Sequence, residues 1–165
     1  MNSAAPLAGI FRTSDQLVPL ILDGLSDADA RRRVRGNEGP SIVWHLGHLL
    51  AHRAAALTRL GVEADNPWQA FQEPASDGAD YPSVAEMRAA WQALSQRLHA
   101  ALSEASAGQL AGSLPGPHGE QTVLDRLAFD AFHEGYHLGS IATIQKAFGY
   151  ATPPEKIVAA MATGR

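Results

Sequence analysis

From about Gln121 to Phe148 the chain runs without a proline, repeats apolar residues at helical spacing and is closed by Gly149. No other feature constrains the fold as much, because a helix of that length must find partners for several faces at once. On a wheel of about 100° per residue, Val123, Leu127, Ala131, Leu138 and Ile141 share one broad face. Phe129, Phe132, Tyr136 and Ile144 cover much of the remainder, so the pattern predicts a helix buried among neighbours.

Three other segments can supply those neighbours. Leu7, Ile10, Phe11, Leu17, Leu20 and Ile21 predict a first helix over about residues 6–24, with Pro6 in its first turn and Pro19 expected to kink or split it. Ser41 caps a second helix over about 42–60, which Gly61 ends. Residues 62–82 hold Pro67, Pro74, Gly78 and Pro82 and read as a long loop, with one turn of helix around Asn66 to Phe71. Ser83-Val84-Ala85-Glu86 is a capping box that opens a third helix carrying Met87, Trp91, Leu94, Leu98 and Leu102. Pro153-Pro154-Glu155 starts a short terminal helix.

No segment alternates apolar and polar residues between hairpin turns, so no strand is expected. The expectation is an all-α four-helix bundle with a short extra C-terminal helix, a single domain over residues 1–165. With 45% of its 165 residues hydrophobic, the chain is long enough for one cored domain and short for two.

Thirteen Lys+Arg against 17 Asp+Glu give a net charge of −4, which argues against a nucleic-acid partner. The run Arg31-Arg32-Arg33-Val34-Arg35 reads as a solvated basic turn. With neither a basic-then-apolar leader nor a membrane-length apolar stretch, the expected protein is cytoplasmic, with a small-molecule substrate and no membrane partner. There is no Cys, so any metal must be held by His, Asp or Glu.

Residues 133–137 read HEGYH and match the H-E-x-x-H pattern of zinc proteases. Two His four apart sit one above the other on a helix face, where both can reach one ion while the Glu activates water. The longer form of the pattern needs Gly and His where this chain has Ser140 and Thr143. Glu155 is the only later carboxylate, and its place at a helix start is explained by the helix dipole. With no strand to order a peptide, a zinc protease is the minor alternative. Glu134, Asp130, Tyr136 and Ser140 lie within a turn or two of the His pair and are candidate catalytic helpers. Gly135 and Gly139 each cost roughly 1 kcal/mol against Ala, which predicts close approach of a neighbouring helix or access to the site.

On the second helix His45, His48 and His52 stand at i, i+3 and i+7, within about a 60° arc that also holds Arg59. That strip reads equally as a solvent face or as the wall of a metal site. His99 and His118 have no partner at ligand spacing.

Ser41-Ile42-Val43-Trp44-His45-Leu46-Gly47-His48-Leu49, followed by His133-Glu134-Gly135-Tyr136-His137-Leu138-Gly139, resembles the DinB-like metalloprotein family across nearly the whole chain. The resemblance implies an up-down-down-up bundle, often a homodimer, holding one divalent ion, commonly zinc or nickel. It implies His48, His133 and His137 as the metal ligands, with the Gly-His-Leu step selecting His48 over His45 and His52. Relatives in the family include thiol-dependent S-transferases and a mycothiol-dependent isomerase. Ser140 departs from the large polar residue that many members carry there.

Three neutral imidazoles leave a coordination position open, the pattern of a catalytic site. The expected function is therefore a metal-dependent enzyme that activates a small thiol co-substrate or water. The alternative is a non-catalytic, stress-induced metal-containing bundle that binds a small ligand.

Overall fold

A computed structural model describes residues 4–34, 36, 39–75 and 80–162. Arg35 and Gly78 lie outside the described residues. The frame is four long helices, α1 (Ala5–Leu22), α3 (Ile42–Arg59), α4 (Val84–Glu104) and α6 (Val123–Ala147). Around them are α2 (Asp27–Arg31), a single 3-10 turn (Gln69–Gln72), α5 (Ala107–Leu110), strands β1 (Ser113–Gly116) and β2 (Gly119–Thr122), and α7 (Pro153–Ala162).

α1 packs on α4 and α6, and α3 packs on the same two, so α1 and α3 are diagonal partners. The arrangement is an up-down-down-up four-helix bundle. Parallel α3 and α4 require their connection to travel the length of the bundle, about 27 Å for an 18-residue helix. The 3-10 turn lies on that path and packs against α3. The core is built from the residues that the periodicity selects, among them Phe11, Ile21, Ile42, Leu50, Leu57, Leu98, Leu127 and Ile141, all fully buried.

The ends of the helices follow local chemistry. Ser41 Oγ accepts from Trp44 N at 3.2 Å, and Ser83 and Glu86 close a reciprocal capping box. Thr122 and Asp125 close a second one, which starts α6 at Val123. Gly61 and Gly149 adopt φ of 74° and 83° just past the ends of α3 and α6, a conformation that costs Gly no Cβ clash. Glu155 accepts from Thr152 N and Oγ1 at the start of α7 and so serves as a cap. α1 continues through Pro19 to Leu22, although Pro19 lacks the amide that would bond the Asp15 carbonyl one turn earlier.

Three expectations need correction. A two-stranded ribbon precedes α6, pairing Ser113 with Thr122 and Gly116 with Gly119. Its strands are four residues long, contain Pro115 and do not alternate, so they leave no periodic signal. α6 is not enclosed on all sides: Ile144 is buried, but Phe129, Phe132 and Tyr136 are 46%, 74% and 65% exposed. Of the long helices α1 and α3 are the ones that pack on α6, and among the described residues nothing buries these three rings. The Arg run, exposed at Arg31 and Arg32, is also a set of ties. Arg31 donates to the Tyr81 carbonyl at 2.7 Å, Arg33 donates to the Gly39 carbonyl at 2.6 Å, and Arg32 lies 3.6 Å over the Phe148 ring. Among the described residues no helix is long and apolar enough to cross a membrane.

Candidate metal centre

The packing of α3 on α6 turns the two His patterns toward each other, and five of the chain's seven His form one cluster. Ring centroids lie 5.1 Å apart for His48 and His133, 4.9 Å for His48 and His137, and 4.4 Å for His133 and His137. One ligand atom from each of these three falls within 4.8 Å of the others, a group that could hold a metal ion. The α3 strip is therefore a wall of this cluster and not a solvent face.

Each ring is oriented by a partner. His48 Nδ1–H donates to the Phe71 carbonyl at 2.8 Å, which leaves Nε2 as the atom with a free lone pair, and Trp44 stacks on the ring at 5.0 Å. His137 Nδ1 lies 2.6 Å from His45 Nδ1, and its Nε2 lies 2.9 Å from His133 Nε2. With His137 Nδ1–H donating to His45, the Nε2 lone pair faces the other two rings. His133 Nδ1 is buried and has no hydrogen-bond partner among the described residues.

Burial, reinforced by the neighbouring imidazoles, pushes His137 down to about 3 and His133 and His45 to about 4; burial also lowers His48. All four rings are thus neutral near pH 7, the form that a divalent cation requires. The donor set fits a borderline-soft ion such as zinc or nickel.

A pH dependence follows. The folded-state values lie below the ordinary 6.5, so the unfolded chain takes up protons first as pH falls. The stability contributed by neutral rings is complete above about 6.5 and is lost as pH drops through about 4 toward 3. Thermal melts of the chelated protein at stepped pH should show Tm falling across that window. A flat profile there would contradict the burial of these rings.

The candidate helpers separate. Glu134 lies one residue past His133 on the helix and is turned into the core, where Arg53 Nε and Nη2 donate to its two oxygens at 2.6 and 2.9 Å. Both oxygens are thus engaged by Arg53, which argues against the water-activating role that the protease pattern gives this position. The ribbon ends at Thr122, about 16 Å along the helix from His133, and is no peptide-ordering edge for the cluster. Asp130 is buried and accepts from His52 Nδ1 at 3.2 Å and Arg59 Nη1 at 2.9 Å, so it stands in contact with the cluster through His52. The ring of Tyr136 packs edge-on against His137 at 5.3 Å, and its hydroxyl has no polar partner among the described residues. Ser140 Oγ donates back to the Tyr136 carbonyl.

Arg53, which has no role in the sequence reading, and Gly47, which enters it only through the Gly-His-Leu step, both shape the site. Arg53 joins α3 to α6 through Glu134 and to α1 through Asp15 at 2.7 Å, with Ser95 and Trp91 of α4 also bonded to Asp15. Gly47 packs against the Phe71 ring, and a Cβ there would lie 2.3 Å from it. Since the Phe71 carbonyl orients His48, Gly47→Ala should displace the 3-10 turn and loosen that ring. The expected result is a metal affinity about 10–100-fold weaker, measured by competition with a chelator, with stability lower by about 1–3 kcal/mol. Gly135 and Gly139 meet nothing within 4 Å of an added Cβ, so the expected close helix approach is absent. Both line an apolar hollow of about 260 Å³ between α1 and α6 that contains no His.

The sequence matches the DinB superfamily model over residues 10–141, a span that includes all three metal-competent His. The chain belongs to the DinB superfamily. No curated protein matches the sequence. Among solved structures, YfiT from Bacillus subtilis superimposes with a TM-score of 0.70, covering 90% of this chain and 89% of its own, at 14% identity. YfiT is described as a probable metal-dependent hydrolase with an unusual four-helix bundle topology. At that identity the likeness shows the fold alone.

Proposed function

We propose that this DinB protein is a divalent-metal-dependent hydrolase in which His48, His133 and His137 hold zinc or nickel and His52 with Asp130 handles the proton of the nucleophile. The observation that carries this reading is a His-Asp dyad set against the three-His group. His52 Nδ1 lies 3.2 Å from Asp130, and its ring lies 4.4 Å from His133 and 4.7 Å from His48. With Asp130 accepting Nδ1–H, the His52 Nε2 keeps its lone pair to take a proton. Arg59 on the other Asp130 oxygen fixes that carboxylate, so the dyad does not need to reorganise during proton transfer. The ion, when bound, would polarise a substrate carbonyl and lower the pKa of water toward about 7.

The description of YfiT supports water as the nucleophile. A low-molecular-weight thiol would place its proton on His52 in the same way, giving an S-transferase; with no Cys in the chain, that thiol must arrive as a co-substrate. The exposed Phe129, Phe132 and Tyr136 support the homodimer implied by the family resemblance.

The test is turnover of a panel of activated esters and amides with and without small thiols, before chelation, after it and after reconstitution. The expected result is metal-dependent hydrolysis, with His52→Ala keeping its metal and losing about 10²–10⁴ in kcat. Thiol consumption without hydrolysis would move the assignment to a transferase. Bound metal with no turnover on any substrate would leave the non-catalytic binding bundle.

A further inference from the structure

Beside the His cluster, α3, α6 and the loop ahead of α4 enclose a second cavity of about 140 Å³, about five water volumes. Its polar lining is His52, Arg59, Asn66, Gln69, Gln72 and Arg126, with no acidic residue among those that line it. Two guanidiniums share one carboxylate behind this wall: Asp130 lies 2.9 Å from Arg59 Nη1 and 3.3 Å from Arg126 Nε. Two guanidinium charges against one carboxylate leave a single positive charge.

Two further observations bear on this charge among the described residues, where the Arg126 guanidinium also lies 5.0 Å over the Phe129 ring. Arg126 Nε is buried and has no hydrogen-bond acceptor among the described residues, the Asp130 contact lacking hydrogen-bond geometry. The Arg59 guanidinium is held below its usual range by burial, which Asp130 opposes and the nearby Arg126 reinforces. Asn66 Nδ2 donates to Gln69 Oε1, so the Gln69 amide offers its N–H groups as donors.

We infer that this cavity is an anion subsite for a carboxylate of the substrate, held by Arg59 and Arg126 with the side-chain amides of Gln69 and Gln72. Guanidinium groups match a carboxylate in a planar two-bond contact. The single surplus charge favours a monoanion over a phosphate dianion. His52 forms a wall of this cavity and also touches His48 and His133, so the carboxylate sits one imidazole ring away from the candidate metal centre. The substrate class is then a short carboxylic acid whose reacting carbonyl lies a few bonds from the carboxylate. That last step rests on the metal-centre reading; the subsite itself does not.

The experiment titrates the full chain, as purified and after chelation, with the monoanion succinamate, neutral succinamide and inorganic phosphate, following the Arg Nε–H and Gln amide signals by NMR. The expected result is saturable succinamate binding in both forms that moves Arg126, with succinamide at least about tenfold weaker and phosphate weaker than succinamate. Arg126→Gln should weaken succinamate binding by at least about tenfold and leave metal content unchanged. Equal binding of succinamate and succinamide, tighter binding of phosphate, or an unaffected Arg126→Gln variant would each overturn the inference. Absence of metal from the purified protein would sink the proposed function and leave this result standing.

Discussion

Replacing His133 or His137 by Ala abolishes metal binding, and His48→Ala weakens it strongly, while His52→Ala leaves metal content unchanged. This expectation follows from which nitrogen each ring can offer. His133 and His137 bring their Nε2 atoms within 2.9 Å of each other on one helix, so loss of either dismantles the site. His48 comes from the facing helix and is oriented by a backbone carbonyl, so its loss leaves a two-ligand remnant. His52 is committed to Asp130 through Nδ1 and lies outside the three-ligand group. His45→Phe gives an intermediate result, about 10–100-fold in affinity, because His45 partners His137 without joining that group. The measurement is metal content and competition with a chelator for each variant. Loss of metal in His52→Ala, with retention in His48→Ala, would reverse the assignment on α3.

The second large effect falls on stability. Arg53 is 1% exposed and its guanidinium lies 3.7 Å over the Trp91 ring, bonded to both Glu134 and Asp15. Burial works against its charge, but the two carboxylates outweigh that and raise its pKa. Burial likewise opposes the charged form of Asp15, which Arg53, Ser95 and His99 hold below the usual carboxylate range. Arg53→Met strands a buried carboxylate and should cost about 3–5 kcal/mol, a fall of about 6–20 °C in Tm for a domain of this size. Arg53→Met combined with Glu134→Leu should recover part of that loss, since apolar replacement of both partners removes the stranded charge. Glu134→Gln should lower Tm and retain both metal and hydrolysis. If it kept its stability and lost turnover, Glu134 would be the base of the protease pattern after all.

The four long helices were legible because periodicity marks each of them, with side-chain caps at the starts of α3, α4 and α6 and a terminal Gly after α3 and α6. The ribbon was not, because SLPG and GEQT carry no alternation. The α3 strip could not be resolved alone: a His face reads the same against water or against α6 until the packing partner is known. Asp130 was visible within a turn or two of the His pair, but its partners Arg59 and His52 come from α3, and nothing local to Asp130 announces them. A signal for the core network did exist. Asp15, Arg53 and Glu134 each interrupt an apolar arc, beside Phe11 and Val18, Leu50 and Leu57, and Leu127 and Leu138 respectively. Three charges of both signs on the buried faces of three helices imply mutual pairing, because an unpaired buried charge is too costly to retain.

One divalent ion shared by α3 and α6 would show directly in anomalous diffraction at the metal edge from crystals of protein purified without a His tag. The expected map holds a single peak per chain about 2.0–2.1 Å from nitrogens of His48, His133 and His137, with Glu134 still paired to Arg53. A peak coordinated by Glu134, or occupied crystals in which His48 turns away, would contradict it.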